Sequence, residues 1–224
     1  MTGLAFDCVL FDLDGTLVDT APDLIACLNS TLIAYGFAEV EYQAVKPFIS
    51  YGALAMISHS IDSADDALKA QMLELMLASY EANIAKYSQF FAGIDQVLTR
   101  IESLGLKWGV VTNKRQRFTL PLMTALGLDQ RAACIISGDT TAFSKPHPEP
   151  MFAACRQAAV EPSRCIYIGD AEHDITAGKQ ANMKTLAAVY GYLKADDQPQ
   201  NWGADGLITD PRHLLTWIET SLCH

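Results

Sequence analysis

The chain has 224 residues, a formal net charge of −10, and a composition that is 50% hydrophobic, ample for a buried core and opposed to disorder. The length suits one large domain or a core carrying a smaller insert. The acid excess, with no basic stripe able to displace phosphate counterions, argues against a nucleic-acid partner, and no apolar run is long enough to span a bilayer.

The first predicted strand, 8–12, is the apolar run Cys8-Val9-Leu10-Phe11 ending in Asp12, with Asp14 two residues on and Gly15 behind it. Residues i and i+2 share a direction on extended backbone, and a glycine lets the chain turn away sharply, so two carboxylates are expected to crowd at a strand mouth. Crowded carboxylates repel, so one must hold a proton or both must share a cation, and hard oxygens suit Mg2+. The pattern points to phosphoryl transfer, with a capped turn as the alternative.

Roughly 90 residues separate this strand from the next, far more than a crossover helix needs, which implies an inserted module. Its content reads as helical. Pro22 suits a first turn, Leu24, Leu28 and Leu32 repeat at i, i+4 and i+8, and Gly36 ends the helix. Asp65 and Asp66 suit the start of a second helix with the apolar stripe Leu68, Met72, Leu75, Met76 and Tyr80. The insert is placed at 20–90, with Phe91-Ala92-Gly93 as the return hinge.

Strands at 107–112, 133–137, 165–170 and 184–190 then alternate with helices around 118–126, 149–159 and 175–181. This alternation predicts an α/β fold with a doubly wound, Rossmann-like parallel sheet. Cys8, Cys27, Cys134, Cys155, Cys165 and Cys223 show no Cys-x-x-Cys spacing and read as small buried hydrophobes in a reducing compartment. With no signal-like opening, the expectation is a cytoplasmic protein.

Open parallel sheets bind ligands beyond the carboxyl ends of their strands. There the chain places Thr112 and Asn113, hydrogen-bond donors for phosphate oxygens; Lys145, on a loop stiffened by Pro146 and Pro148; and Asp170, with Asp174 one helical turn later. Each alone reads as a turn, a surface charge or a cap. Together they supply a nucleophile, an acid/base, phosphate donors, a cation and metal ligands.

This arrangement resembles the haloacid dehalogenase-like superfamily. Asp12-Leu13-Asp14-Gly15-Thr16 matches its first motif, Thr112-Asn113 the second, Lys145-Pro146 the third, and Gly169-Asp170 with Asp174 the fourth. The insert is similar to the cap of the phosphoglycolate phosphatase-like branch, which implies a core of residues 1–19 and 91–224 under an all-helical cap of 20–90. The resemblance implies a Mg2+-dependent phosphatase acting on a small-molecule phosphomonoester, as a monomer or homodimer. Asp12 would be the nucleophile that forms an aspartyl-phosphate and Asp14 the acid/base. Thr112, Asn113 and Lys145 would bind the phosphoryl group, and Asp12, the Asp14 carbonyl, Asp170 and Asp174 would hold the metal. A phosphosugar mutase of the β-phosphoglucomutase type and a non-catalytic regulator are the alternatives.

Specificity is expected from the cap loop Ser50-Tyr51-Gly52-Ala53, with Tyr51 and His59 as contacts or packing. Many relatives carry Arg where this chain has Leu54, a departure from strict phosphoglycolate specificity. Trp108-Gly109-Val110-Val111-Thr112-Asn113-Lys114, Tyr190-Gly191-Tyr192, Asp196-Asp197 and Asn201-Trp202-Gly203-Ala204-Asp205 are similar to N-acetylmuramic acid 6-phosphate phosphatases of the same branch.

Overall fold

The structure, a computed structural model, describes residues 5–61 and 65–220. In chain order it runs β1 (Cys8–Phe11), β2 (Val18–Asp19), α1 (Ala21–Ala34), α2 (Tyr42–Val45), a 3-10 stretch (Lys46–Tyr51), α3 (Ala53–Ser60), α4 (Asp66–Ala82), β3 (Gln89–Phe90), α5 (Ile94–Ser103) and β4 (Lys107–Val111). It continues through α6 (Gln116–Ala125), β5 (Cys134–Ile136), α7 (Glu149–Ala158), β6 (Cys165–Gly169), α8 (Glu172–Gln180), β7 (Lys184–Ala188), β8 (Gly206–Ile208) and α9 (His213–Thr220). No helix among the described residues is long and apolar enough to cross a membrane.

Six strands form one parallel sheet in the order β5-β4-β1-β6-β7-β8. The central strands are buried along their length, as a sheet covered on both faces requires. Register carries the functional consequence: Phe11 lies opposite Val110 on one side and Ile168 on the other, so Asp12, Thr112 and Asp170 leave the sheet at nearly the same level.

The expected α/β architecture is present, and the expected strand at 184–190 is shorter, ending at Ala188. Three features lay outside the sequence reading. Val18 and Asp19 pair antiparallel with Phe90 and Gln89, so the chain's exit from the first motif and its return form a two-strand ribbon. Helix α5 buries Ile94, Val97, Leu98 and Ile101, an i, i+3, i+4, i+7 pattern that was readable. Strand β8 and helix α9 close the far edge.

Between the ribbon strands, α1, α3 and α4 pack around a second hydrophobic cluster that includes Leu28, Leu32, Met56, Met72, Met76 and Tyr80 and takes in Phe118 and Tyr192 from beyond the ribbon. Leu24, Leu28 and Leu32 are buried as their spacing foretold. Leu75 corrects the stripe proposed for α4, since it is 41% exposed. Helical spacing puts it on the far side of the Met72–Met76–Tyr80 row from Leu73 and Leu77, which line a cavity. Asp65 starts α4 by accepting from the Leu68 amide at 2.7 Å. Buried Asp23 ties α1 to the return segment, accepting from the amides of Tyr87 and Ser88 at 2.9 Å and the Ser88 hydroxyl at 2.6 Å.

Cys8, Cys27, Cys134, Cys155 and Cys165 are buried free thiols, and burial pushes the Cys134 thiol up to about 12, away from reactivity. Cys223 lies outside the described residues.

Candidate active site

Strand β1 ends at Phe11 and delivers Asp12, 6% exposed, to the carboxyl edge of the sheet. Its amide donates to the Ile168 carbonyl at 2.8 Å, continuing the ladder one residue past the strand. Gly15 then turns the chain at φ +85, and a Cβ there would collide with the Asp170 carboxylate, so only glycine allows this approach.

Lys145 is the hub. Its ammonium, 4% exposed as a residue, has Asp12 Oδ1 at 2.8 Å, Asp174 Oδ1 at 2.6 Å, the Val111 carbonyl at 3.0 Å and the Tyr167 hydroxyl at 2.9 Å within hydrogen-bond reach, four oxygens sharing its three N–H donors. Burial disfavours its charge, but Asp12 and Asp174 outweigh that and hold it protonated above the ordinary lysine range. Tyr167, given no role from sequence, has the Val111 carbonyl at 2.9 Å and Asp174 Oδ1 at 3.0 Å as the acceptors within reach of its single O–H.

Asp174 caps its own helix as well: its Oδ2 accepts from the Ala171 amide at 3.1 Å. Capping and site were posed as alternatives, and one side chain serves both. Burial works against its ionisation, yet Lys145 and His173 keep the carboxyl below the usual range. Gly169 makes room for it, since a Cβ there would meet the Asp174 carboxylate. Burial pushes Asp12 up, opposed by Lys145.

Asp170 accepts from the Tyr192 amide at 2.8 Å and the Ser50 hydroxyl at 3.0 Å through Oδ2, and from Thr16 at 3.4 Å through Oδ1. Burial first, then the charges of Asp12 and Asp174, lift its pKa well above the ordinary carboxylate value. Asp12, Asp170 and Asp174 bring carboxylate oxygens within 4.8 Å of one another. Three buried carboxylates against one ammonium, all hard oxygen donors, fit a divalent cation such as Mg2+.

Asp14 departs from the expected crowding. Its carboxylate turns away from the cluster, accepts from the Thr20 hydroxyl, and takes Lys114 Nζ on Oδ1 at 3.0 Å and Oδ2 at 3.2 Å. The acids two residues apart thus have a lysine each, because Gly15 reverses the chain and Thr20 and Lys114 supply partners that spacing alone cannot reveal. Both still line one cavity. Thr112 lines it too, its Oγ1 accepting from the Lys114 amide at 3.2 Å. In Asn113, one N–H donates to the Lys145 carbonyl and the side-chain oxygen accepts from the Lys145 amide, both at 3.0 Å, so this amide seats Lys145.

Ser50 and Tyr51, expected on a cap loop, instead end the 3-10 stretch Lys46–Tyr51, and both reach residues beyond the ribbon. Ser50 reaches Asp170, and Tyr51 lines the cavity with Lys194 3.5 Å from its ring centre and its hydroxyl 3.4 Å from Asp197. His59 instead stacks on Phe48 with ring centres 3.8 Å apart.

Three comparisons bear on this geometry. The profile of the family described as haloacid dehalogenase-like hydrolase matches residues 9–188. The chain is similar to the N-acetylmuramic acid 6-phosphate phosphatase of Pseudomonas aeruginosa, at 40% identity over 100% of this chain and 99% of that protein. It is similar to the phosphoglycolate phosphatase of Xanthomonas campestris pv. campestris, at 39% identity over 92% of this chain and 93% of that protein. Among solved structures, a predicted phosphoglycolate phosphatase from Haemophilus somnus superposes with a TM-score of 0.85 at 25% identity, covering 95% of this chain and 98% of that one.

Proposed function

The chain belongs to the haloacid dehalogenase-like hydrolases, as a phosphoric monoester hydrolase, and from that premise we propose that it cleaves a small-molecule phosphomonoester in two displacements at Asp12. The observation that carries the proposal is the buried set of Asp12, Lys145, Asp174 and Asp170 at one edge of the sheet.

In the first displacement an Asp12 carboxylate oxygen attacks phosphorus; the bond from phosphorus to the leaving oxygen breaks, and Asp14 donates the proton that oxygen needs. In the second, water attacks phosphorus, Asp14 takes the water's proton, and the acyl-phosphate bond breaks to regenerate the Asp12 carboxylate and release phosphate. Lys114 and Thr20 hold Asp14 at the cavity, clear of the metal-binding acids. Lys145 aligns Asp12 and offsets negative charge on the transferring group, and Thr112 donates to its oxygens. Asn113 contributes by fixing the Lys145 backbone.

Asp12, Asp170, Asp174 and the Asp14 backbone carbonyl would hold Mg2+, which when bound neutralises phosphoryl oxygens and the excess acid charge. Residues 20–90 act as a cap over a core of 1–19 and 91–224, and the β2–β3 ribbon is the two-strand joint between them. Closure excludes water from the aspartyl-phosphate. N-acetylmuramic acid 6-phosphate and phosphoglycolate, the substrates in the relatives' names, are the candidate substrates.

The test is a phosphate-release screen with Mg2+ over phosphoglycolate, hexose phosphates and N-acetylmuramic acid 6-phosphate. Release from at least one is expected. Folded protein that releases phosphate from none would contradict the proposal, and transfer to a second sugar position without release would mark a mutase.

A further inference from the structure

Both passages of the chain between the core and the helical insert meet one short segment, Tyr190-Gly191-Tyr192, which follows β7 and has no part in the two displacements. On the outgoing side, the Tyr190 hydroxyl donates to the Thr16 carbonyl at 3.0 Å, and the Tyr192 hydroxyl donates to Asp19 Oδ1 at 2.6 Å and accepts from the Ala21 amide at 3.0 Å. Asp19 is the last residue of β2 and Ala21 the first of α1. On the return side, Phe91 tilts against both tyrosines, its ring centre 5.2 Å from that of Tyr190 and 6.0 Å from that of Tyr192.

The same segment holds one of the clustered acids. The Tyr192 amide donates to Asp170 Oδ2 at 2.8 Å, and Gly191 runs so close that a Cβ there would collide with the Asp170 side chain and the Gly15 carbonyl. Tyr192 therefore meets Asp170 with its backbone and the entry to α1 with its side chain. It is buried, its ring is packed in the second hydrophobic cluster with residues of α1, α3 and α4, and Lys46 lies 5.4 Å from the ring centre. A buried phenol whose one proton and whose oxygen are both engaged is held in one orientation. Asp170 Oδ2 also accepts from Ser50 of the insert at 3.0 Å, so a single carboxylate oxygen is where insert and core meet.

Resting on the metal reading above, we propose that Tyr192 is a positioning residue that couples the cation site at Asp170 to the joint between core and insert. An Asp170 carboxylate fixed by the cation fixes the Tyr192 backbone, and the Tyr192 hydroxyl in turn fixes Asp19 and the first turn of α1. Such a coupling acts equally in both directions, so releasing the hydroxyl end must weaken metal binding at the other.

The experiment titrates metal-stripped full-length protein with MgCl2 by calorimetry and follows amide hydrogen exchange with and without the salt, so no substrate is needed. In the parent, Mg2+ is expected to slow exchange at 16–24 and 86–92 as well as around Asp12 and Asp170. Tyr192→Phe keeps the amide and deletes the hydroxyl; it is expected to weaken Mg2+ binding about tenfold and to confine the slowing to the segments around Asp12 and Asp170. Asp19→Ala removes the acceptor at the other end of the same bond and should do likewise, and Gly191→Ala should weaken Mg2+ binding further. Asp65→Ala loosens α4 without touching this segment and should lower stability with Mg2+ affinity unchanged. Tyr192→Phe and Asp19→Ala proteins that lose Tm yet bind Mg2+ as the parent does, or that keep the slowed exchange at 16–24, would overturn the inference. If the parent binds Mg2+ and the two variants match it, this inference alone falls. A parent that binds no Mg2+ takes the metal reading down with it.

Discussion

The floor and the roof of the cavity are built on opposite principles. On the floor, Asp12, Asp170, Asp174, Tyr167 and Lys145 are buried and hydrogen-bonded to one another or to nearby backbone and hydroxyl groups. On the roof, α1 and α4 present mainly aliphatic side chains. A saturated polar network holds its members in one geometry, which a repeated chemical step needs, whereas an apolar wall fits shape and can change without disturbing the reaction. On the proposed reading, chemistry resides in the floor and selection in the roof.

The largest effect should come from Asp12→Asn, which breaks the floor at its centre: turnover falls by about 10^4-fold or more while circular dichroism remains that of folded protein, since an amide cannot be the nucleophile. Activity within tenfold of the parent would refute the assignment. Next comes metal removal, where excess chelator should abolish phosphate release and added Mg2+ restore it; unchanged rates in chelator would point to another chemistry. Lys145→Met should then separate floor from roof in stability, costing about 3–5 kcal/mol in urea unfolding because two buried carboxylates lose their cation. A loss below about 1 kcal/mol would mean that the ammonium is not the hub.

A pH series sharpens the contrast further. Asp170 titrates well above an unfolded carboxylate, so its contribution to stability is intact below the ordinary carboxylate pKa and is lost as pH rises through its raised folded value. Metal-free protein should therefore lose Tm as pH rises above the ordinary carboxylate range, with Mg2+ raising Tm most at the alkaline end, and Asp170→Asn should flatten both trends. The smallest effect belongs to the roof's frame: Asp65→Ala removes the cap on α4 and should cost about 1 kcal/mol, read by urea unfolding.

The floor was largely legible in the sequence because each of its acids follows a continuous apolar strand, and strand ends in a parallel sheet converge. Asp12 and Asp170 were found that way, and Lys145 from the loop stiffened by Pro146 and Pro148. Asp14 was assigned to the same mouth, but its orientation was not legible, because Lys114 and Thr20 come from segments that only the fold brings to it. Tyr167 was hidden inside a strand, where an aromatic residue reads as packing, although its hydroxyl had to find a partner once buried. On the roof, the spacing of Leu24, Leu28 and Leu32 gave α1, while the two-residue strands β2 and β3 are too short to leave any periodicity.

The most direct test is chemical trapping of the covalent enzyme. Protein mixed with a hydrolysed phosphomonoester and Mg2+ and then reduced with borohydride should yield homoserine at position 12 by peptide mass spectrometry, since borohydride reduces an acyl phosphate and spares a free carboxylate. Homoserine at another acid, or none at 12 during steady turnover, would contradict the account.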